Sequence, residues 1–407
     1  MKKDIDRLMK KMGVDAIYAE GSPRCDSFMY YLLNGVNISA RFIKKYKKPG
    51  IVIHSSMERE EARKTGYRLI NINRYNPRMF FEKYRDPIRA GAYLIKTIFD
   101  DLGIRGTVAF YGRMNMGRGF NYLSQILKVN RKIKVYCSSD EGDLLTQARL
   151  TKDTQEITRI RYVRNGVVQS FKDTIERVRR MRVKNGFIMK SEKRRLLIGD
   201  LKQMLRDQLF SRGLINSAGL IVSQGRDAGI PHNRGKDRSP VRLGKTIVFD
   251  IFPQESDGGY FFDFTRTICF GYAQPEVIKA YNAVRDGQDL VYDSVRVGRR
   301  TIEIESALCK FFEKSGHPTF LSSPKTEQGY CHSLGHGLGL NVHEQPVFGL
   351  LKTNKQRLKP GMVFTVEPGL YYPARGFGIR LEDVVYIDPK GRLVNLTNFP
   401  RRLVVKM

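Results

Sequence analysis

The sequence predicts an α/β domain over residues 1–147, followed by a larger domain of mixed α and β structure over residues 148–407. Three observations carry that prediction. The length of 407 residues exceeds twice the roughly 150 typical of one domain. Up to residue 145, short apolar runs of strand character alternate with helical periodicity. Beyond residue 150 the texture changes to a long amphipathic helix, and then to strands that carry carboxylates.

In the first domain a charged helix over Lys2–Met12 leads into the apolar run Ala16–Tyr18. Further strands are expected at Gly50–Ile53, Thr107–Tyr111 and Ile133–Tyr136, with helices at Ser56–Lys64 and Tyr122–Leu127. His54 lies inside an apolar strand and reads as a packed or edge histidine rather than a ligand. After the boundary, Thr151 and Asp153 are N-cap residues for a helix. Its Ile157, Ile160, Val163, Val167, Phe171, Ile175 and Val178 recur at three- and four-residue spacing. A second helix over Ser191–Arg212 stops at Gly213. Strands follow at Gly219–Ser223, Thr246–Phe252, Tyr260–Phe270, Met362–Val366 and Arg380–Ile387, with helices Pro275–Val295 and Thr301–Lys314 between them.

With 41% apolar and 28% charged residues, the chain is not of the disordered class. No run approaches the roughly 18 apolar residues of a membrane span, and the N-terminus goes straight into mixed charge, unlike a signal peptide. Five scattered cysteines argue against a disulfide framework or a Cys-rich zinc site and for a cytoplasmic, reducing location. The outlier is the net charge of +31. Residues 251–350 nevertheless carry 9 basic against 12 acidic side chains, and the excess is dense over Arg159–Arg212. That distribution favours a solvated basic surface, with non-specific nucleic-acid binding as the minority reading.

The chemistry is concentrated in four acids and a histidine cluster. Asp250 ends the apolar run Ile247-Val248-Phe249, and Asp263 stands in the returning run Phe261-Phe262-Asp263-Phe264, which reads as a hairpin with a carboxylate on each arm. Val366-Glu367-Pro368-Gly369 and Ile379-Arg380-Leu381-Glu382 repeat the plan. Carboxylates flanked by Val, Ile and Phe are costly to bury unless paired, protonated or bound to a cation. Salt bridges to the abundant Arg would account for any one of them, but not for four beside His332, His336 and His343. Three His in twelve residues, set among glycines, point to metal ligation or proton transfer.

These segments resemble the metallopeptidase family with the pita-bread fold, which includes methionine aminopeptidase, aminopeptidase P and prolidase. The N-terminal domain is similar to the creatinase/prolidase N-terminal domain. The resemblance implies an α+β catalytic domain with pseudo-two-fold symmetry. It matches Asp250, Asp263, His336, Glu367 and Glu382 to the family's five metal ligands, which suit two divalent ions, manganese or cobalt before zinc or iron. It implies a peptidase in which a metal-bridging hydroxide attacks the peptide carbonyl. His232 and His343 match positions that bind substrate and stabilise the intermediate; Glu367 doubles as proton shuttle, and Arg380 orients its neighbours. His332 is read as substrate-facing or structural. The Arg380 context and the Val342-His343-Glu344 pattern are more similar to the Xaa-Pro branch, which implies a peptide substrate and a homodimer. The alternatives are an aminopeptidase of other specificity and a nucleic-acid-binding protein on the same fold. One departure stands out: Asp250 and Asp263 are 13 apart, about two residues more than the family's usual spacing.

Overall fold

The computed structural model describes residues 4–138 and 142–407. It divides into two compact units, one running to Arg149 and including Asp257–Gly259, the other comprising Leu150–Ser256 and Tyr260–Met407.

The first unit is built on a mixed six-stranded sheet. Its strands are β1 (Ala16–Gly21), β2 (Ala40–Lys45), β3 (Gly50–His54), β4 (Arg68–Asn71), β5 (Gly106–Tyr111) and β6 (Ile133–Val135), in the order β4-β3-β2-β1-β5-β6. The helices are α1 (Ile5–Met12), α2 (Ser27–Leu32), α3 (Arg59–Arg63), α4 (Pro77–Tyr84), α5 (Pro87–Asp101), α6 (Met116–Val129) and α7 (Leu144–Arg149). Lys2 and Lys3, where the first helix was expected to begin, lie outside the described residues. The sequence pattern did not mark β2 and β4. In β2, Arg41, Lys44 and Lys45 dilute the apolar signal, and β4 buries only Ile70. α5 follows local rules: the Asp86 side chain caps Arg89 N, Pro87 starts the helix, and Leu94, Ile95, Ile98 and Phe99 enter the core. His54 is buried and its Nδ1 meets Ser55 O at 2.8 Å, so it is a packed histidine.

The second unit begins with α8 (Thr154–Arg179), closed by a capping box in which Asp153 accepts from Glu156 N and Glu156 accepts from Asp153 N. All seven apolar positions read from the sequence are buried. The expected helix Ser191–Arg212 is shorter, as α9 (Ile198–Phe210). The chain ahead of it is extended instead, because Leu196 N donates to Ile188 O and Leu196 O accepts from Val241 N.

The strands of this unit are β7 (Val183–Lys184), β8 (Phe187–Ile188), β9 (Leu214–Ile215), β10 (Leu220–Gln224), β11 (Thr246–Ile251), β12 (Gln254–Glu255), β13 (Thr265–Phe270), β14 (His336–Gly337), β15 (Glu344–Val347), β16 (Val363–Val366), β17 (Gly369–Tyr372), β18 (Phe377–Arg380), β19 (Asp383–Ile387), β20 (Leu393–Asn395) and β21 (Val404–Val405). Two sheets dominate, β10-β11-β13-β21 and β15-β14-β16-β19-β20. The second is backed by α10 (Pro275–Ser294) and α11 (Thr301–Lys314), whose Val284, Val291, Leu308 and Phe312 share a core with Phe364, Val366, Ile379 and Leu381. Behind the first sheet, the Phe171 ring of α8 meets Phe249, Phe264 and Phe399 at centroid distances of 5.4, 5.2 and 5.7 Å.

Two expected strands are corrected. Tyr260–Phe270 is regular only from Thr265, because residues before it answer to other partners: Phe261 N donates to Gly339 O. Arg380–Ile387 is two strands, β18 and β19, broken where Leu381 N bonds Pro368 O and Glu382 N bonds Thr265 O.

Candidate metal centre

Period-two alternation explains why the acids converge. Phe364 and Val366 point into the core, which leaves Thr365 and then Glu367 on the opposite face; Ile379 and Leu381 are core, which leaves Arg380 and Glu382. Glu367 and Glu382 flank the β16–β19 ladder, where Val366 pairs with Asp383. On the first sheet Asp250 pairs with Thr265, two residues beyond Asp263. Between Asp250 and Asp263 the chain leaves the sheet as β12, which pairs with β9. A single bridge, Thr265 with Glu382, joins the two sheets at the acids.

His336 reaches the same point because both neighbours are glycine. A Cβ on Gly335 would lie 2.2 Å from Thr365 O, and one on Gly337 2.0 Å from Gln345 O, so no side chain fits between β14 and its flanking strands.

Ligand atoms of Asp263, His336 and Glu382 lie within 4.8 Å of one another. His336 Nε2 is 3.3 Å from Glu367 Oε1 and 3.7 Å from Asp263 Oδ2. Its Nδ1 is 3.1 Å from Gly337 O, which can only accept, so the proton sits on Nδ1 and the Nε2 lone pair faces the acids. Burial, and then the His343 ring, push the His336 pKa down to about 3. Burial is also the largest cause holding Asp263, Glu367 and Glu382 well above the usual carboxylate range, with neighbouring acids adding to it. Thr265 Oγ1 donates to Glu382 Oε2 at 2.7 Å, while the buried Glu382 Oε1 has no hydrogen-bond partner among the described residues. A buried lone pair and a buried carboxylate oxygen without a donor, facing further carboxylates, fit a cation. Asp250 lies at the edge of the cluster, where Arg380 Nη2 donates to its Oδ2 at 2.5 Å.

His343 stacks edge-on against His336 at 4.2 Å between centroids, and burial and then the charge of His232 lower its pKa. His232 and His343 both reach solvent at the rim of the site, His343 with its ring partly desolvated against His336. The His232 segment is tied down through Pro231 O, which accepts from Arg380 Nη1 at 3.3 Å. His332 is differently placed. Its Nδ1 meets Ser333 O and its Nε2 meets Tyr371 Oη, both at 2.8 Å, so neither ring nitrogen is open to a substrate.

Four contributors were not read from the sequence. Thr265 and Thr365 each stand two residues from an acid on a strand, and that offset was the available signal. Tyr371 links Arg380 to His332, and Arg266 crosses from β13 to Asp383. Nothing in their local sequence marks them.

The profile of metallopeptidase family M24 matches residues 183–389, half of the chain. The chain belongs to metallopeptidase family M24. Members of this family use divalent metal ions, in keeping with the donor set above. A probable dipeptidase PepE from Mycobacterium tuberculosis is 30% identical over 206 residues, 51% of each chain. A Xaa-Pro dipeptidase from Pyrococcus furiosus is 30% identical over 184 residues, 45% of this M24 chain and 48% of that protein. The alignments thus span about half the length of these relatives. The structure of an X-Pro aminopeptidase from Thermotoga maritima superposes with a TM-score of 0.75 at 24% identity, covering 98% of this chain and 100% of that one. A Xaa-Pro dipeptidase from Bacillus anthracis gives 0.76 at 22% identity, covering 99% of both. The M24 chain therefore has the α/β N-terminal and pita-bread folds expected from the resemblance.

Proposed function

We propose that this protein is a dinuclear metal-dependent peptidase that hydrolyses Xaa-Pro bonds, of aminopeptidase P or prolidase type. The observation that carries the reading is the convergence of Asp263, His336 and Glu382 around a buried oxygen that lacks a donor. With Asp250 and Glu367 beside them, these residues would hold two divalent ions, manganese or cobalt by preference, which supply Lewis acidity and an activated water near neutral pH.

The chain's own groups do the rest. Glu367 would take a proton and return it to the leaving amine, and its Oε1 accepts from Thr365 Oγ1 at 3.2 Å. His232 and His343 bind carbonyl or carboxylate groups of the peptide from the rim. Arg380 orients Asp250 and, through Tyr371, fixes His332, which we assign to positioning rather than to substrate contact. Proline selectivity draws its support from the names of the relatives. The homodimer and the cytoplasmic location rest on the family resemblance and on the five free cysteines.

The test joins metal analysis to a peptide panel of Xaa-Pro dipeptides, Xaa-Pro-Yaa tripeptides and Met-Ala-Ser. About two ions per chain, loss of turnover on chelation and preference for the proline peptides are expected. Asp263→Ala or Glu382→Ala should abolish both metal retention and turnover, whereas His343→Ala should lower turnover with the metals retained. Full activity in metal-free protein would sink the reading, and preference for Met-Ala-Ser would move it to another aminopeptidase specificity.

A further inference from the structure

The excess positive charge is not spread evenly over the second unit. Residues 177–195 carry nine basic side chains and one acidic one. The chain folds this run into a small ribbon beyond the end of α8. β7 pairs with β8 across Asn185 and Gly186, whose φ values of 51° and 75° make the tight turn that an Asn-Gly pair favours. Met189 N donates to Arg182 O and extends the hairpin, while Leu196 N donates to Ile188 O and Ile188 N to Val241 O, so two further stretches are stitched to it.

Little of that charge is compensated. Arg179 pairs with Glu176, and Lys190 and Arg194 share Asp200. Arg177, Arg180, Arg182, Lys184 and Lys193 are exposed and form no ion pair among the described residues. Arg195 and Arg242 also lack an acid; their guanidinium carbons stack on the Phe187 ring at 3.9 and 4.6 Å from its centroid. Stacking holds these two planar groups in place while their N–H edges remain available. A groove of about 610 Å³ against the C-terminal half of α8, which Arg179 also lines, adds Lys172, Arg402 and Lys406 to these cations, with Glu176 as its acid.

We propose that this ribbon and groove bind the phosphate backbone of B-form DNA, without sequence preference, at a surface separate from the metal centre. Charge complementarity is the first argument, since guanidinium forks match phosphate oxygens and each neutralised phosphate releases counterions. Shape is the second: the exposed hairpin tip, Arg182–Gly186, suits the wide major groove of B-DNA, whereas the major groove of an A-form duplex is too narrow to admit it. A lipid surface fits less well, because Val183 is the only large apolar side chain exposed on the ribbon.

The test uses the full chain and a fluorescent duplex of about 20 base pairs, its anisotropy followed as NaCl rises from roughly 50 to 200 mM. A variant combining Arg177→Gln, Arg180→Gln, Arg182→Gln, Lys184→Gln and Lys193→Gln should weaken binding at least about 30-fold and flatten the log–log salt slope by roughly 3 to 5. The single Arg182→Glu change should weaken it in the same direction, which guards against a folding defect in the combined variant. A control with Arg105, Arg118, Lys128, Arg131 and Lys134 of the first unit changed to Gln should bind like the wild type. Equal losses from both sets, or undiminished binding by the ribbon variants, would overturn the proposal. So would binding to duplex RNA, polyglutamate or phosphatidylserine vesicles as tight as to DNA.

Discussion

Glu305 on α11 is fully buried, and both of its carboxyl oxygens are engaged. Tyr330 Oη donates to Oε1 at 2.6 Å and Leu334 N to Oε2 at 2.8 Å, which pins the segment leading to His336. Burial pushes its pKa up from 4.5 to about 7, against the lowering effect of the two hydrogen bonds. The sign follows from which state loses the proton first. Below pH 4.5 both folded and unfolded chains keep it, and no stability is lost through this group. As pH rises toward 7 the unfolded chain ionises while the folded one resists, which costs roughly 3 kcal/mol by the upper end of the window. Glu305→Gln removes that component. In urea unfolding at about pH 5 and pH 7.5, the variant should gain on the wild type by roughly 2–3 kcal/mol between the two conditions. A gap that stays constant with pH would contradict the assignment. The motif pattern singled out His336 but not Glu305, because a lone Glu within an amphipathic helix carries no local mark of burial.

At the scale of elements, the centre depends on two sheets being held together at their acid-bearing ends. Arg266, on β13, is 1% exposed and is surrounded by acceptors on the other side of that junction. Its Nη2 donates to Asp383 Oδ1 and its Nη1 to Glu382 O, both at 2.7 Å, and Phe399 O and Pro400 O take up further N–H groups. Asp383 is satisfied in turn by Tyr292 Oη at 2.6 Å and Asn395 Nδ2 at 2.7 Å. Removing one partner leaves a buried charge, so Arg266→Ala should cost about 3–5 kcal/mol. The Arg266→Ala/Asp383→Ala double variant should lose clearly less than the sum of the two single changes, which a denaturant double-mutant cycle measures. Additive losses would mean that the pair does not act as a unit. The strand-period reading identified the acid-bearing strands, but it merged β18 with β19. Leu381 and Glu382 keep the alternation while their backbone changes partners, and alternation alone does not register that change.

For the whole molecule, a net charge of +31 is a standing source of self-repulsion in the folded state. Raising the NaCl concentration from about 10 to 150 mM shortens the screening length from roughly 30 to 8 Å, which weakens repulsion between exposed cations more than any contact pair. The melting temperature of the protein should therefore rise over that range, as differential scanning calorimetry would record. A fall would show that surface ion pairs outweigh the repulsion. The two compact units also differ in how they were read. In the first, β1, β3, β5 and β6 follow apolar runs visible in the sequence, whereas β2 and β4 form because a neighbouring strand recruits them.

By itself, the sequence determined the phase and cap of α8, the glycines that flank His336, and the chain order of the acids, because each is written within a few neighbouring residues. Only the tertiary structure decided which of those acids face a common point. Thr265 and Glu382 are 117 residues apart, and Asp250 and Arg380 are 130 apart, yet each pair is in hydrogen-bond contact. Local periodicity reports which face of a strand a side chain occupies, but not which strand lies opposite. The run of cations over 177–195 is local and legible in the sequence, whereas the partnership of the two sheets and the burial of Arg266 and Glu305 depend on long-range packing. That packing is where desolvation raises the carboxyl pKa values and leaves Glu382 Oε1 without a donor among the described residues.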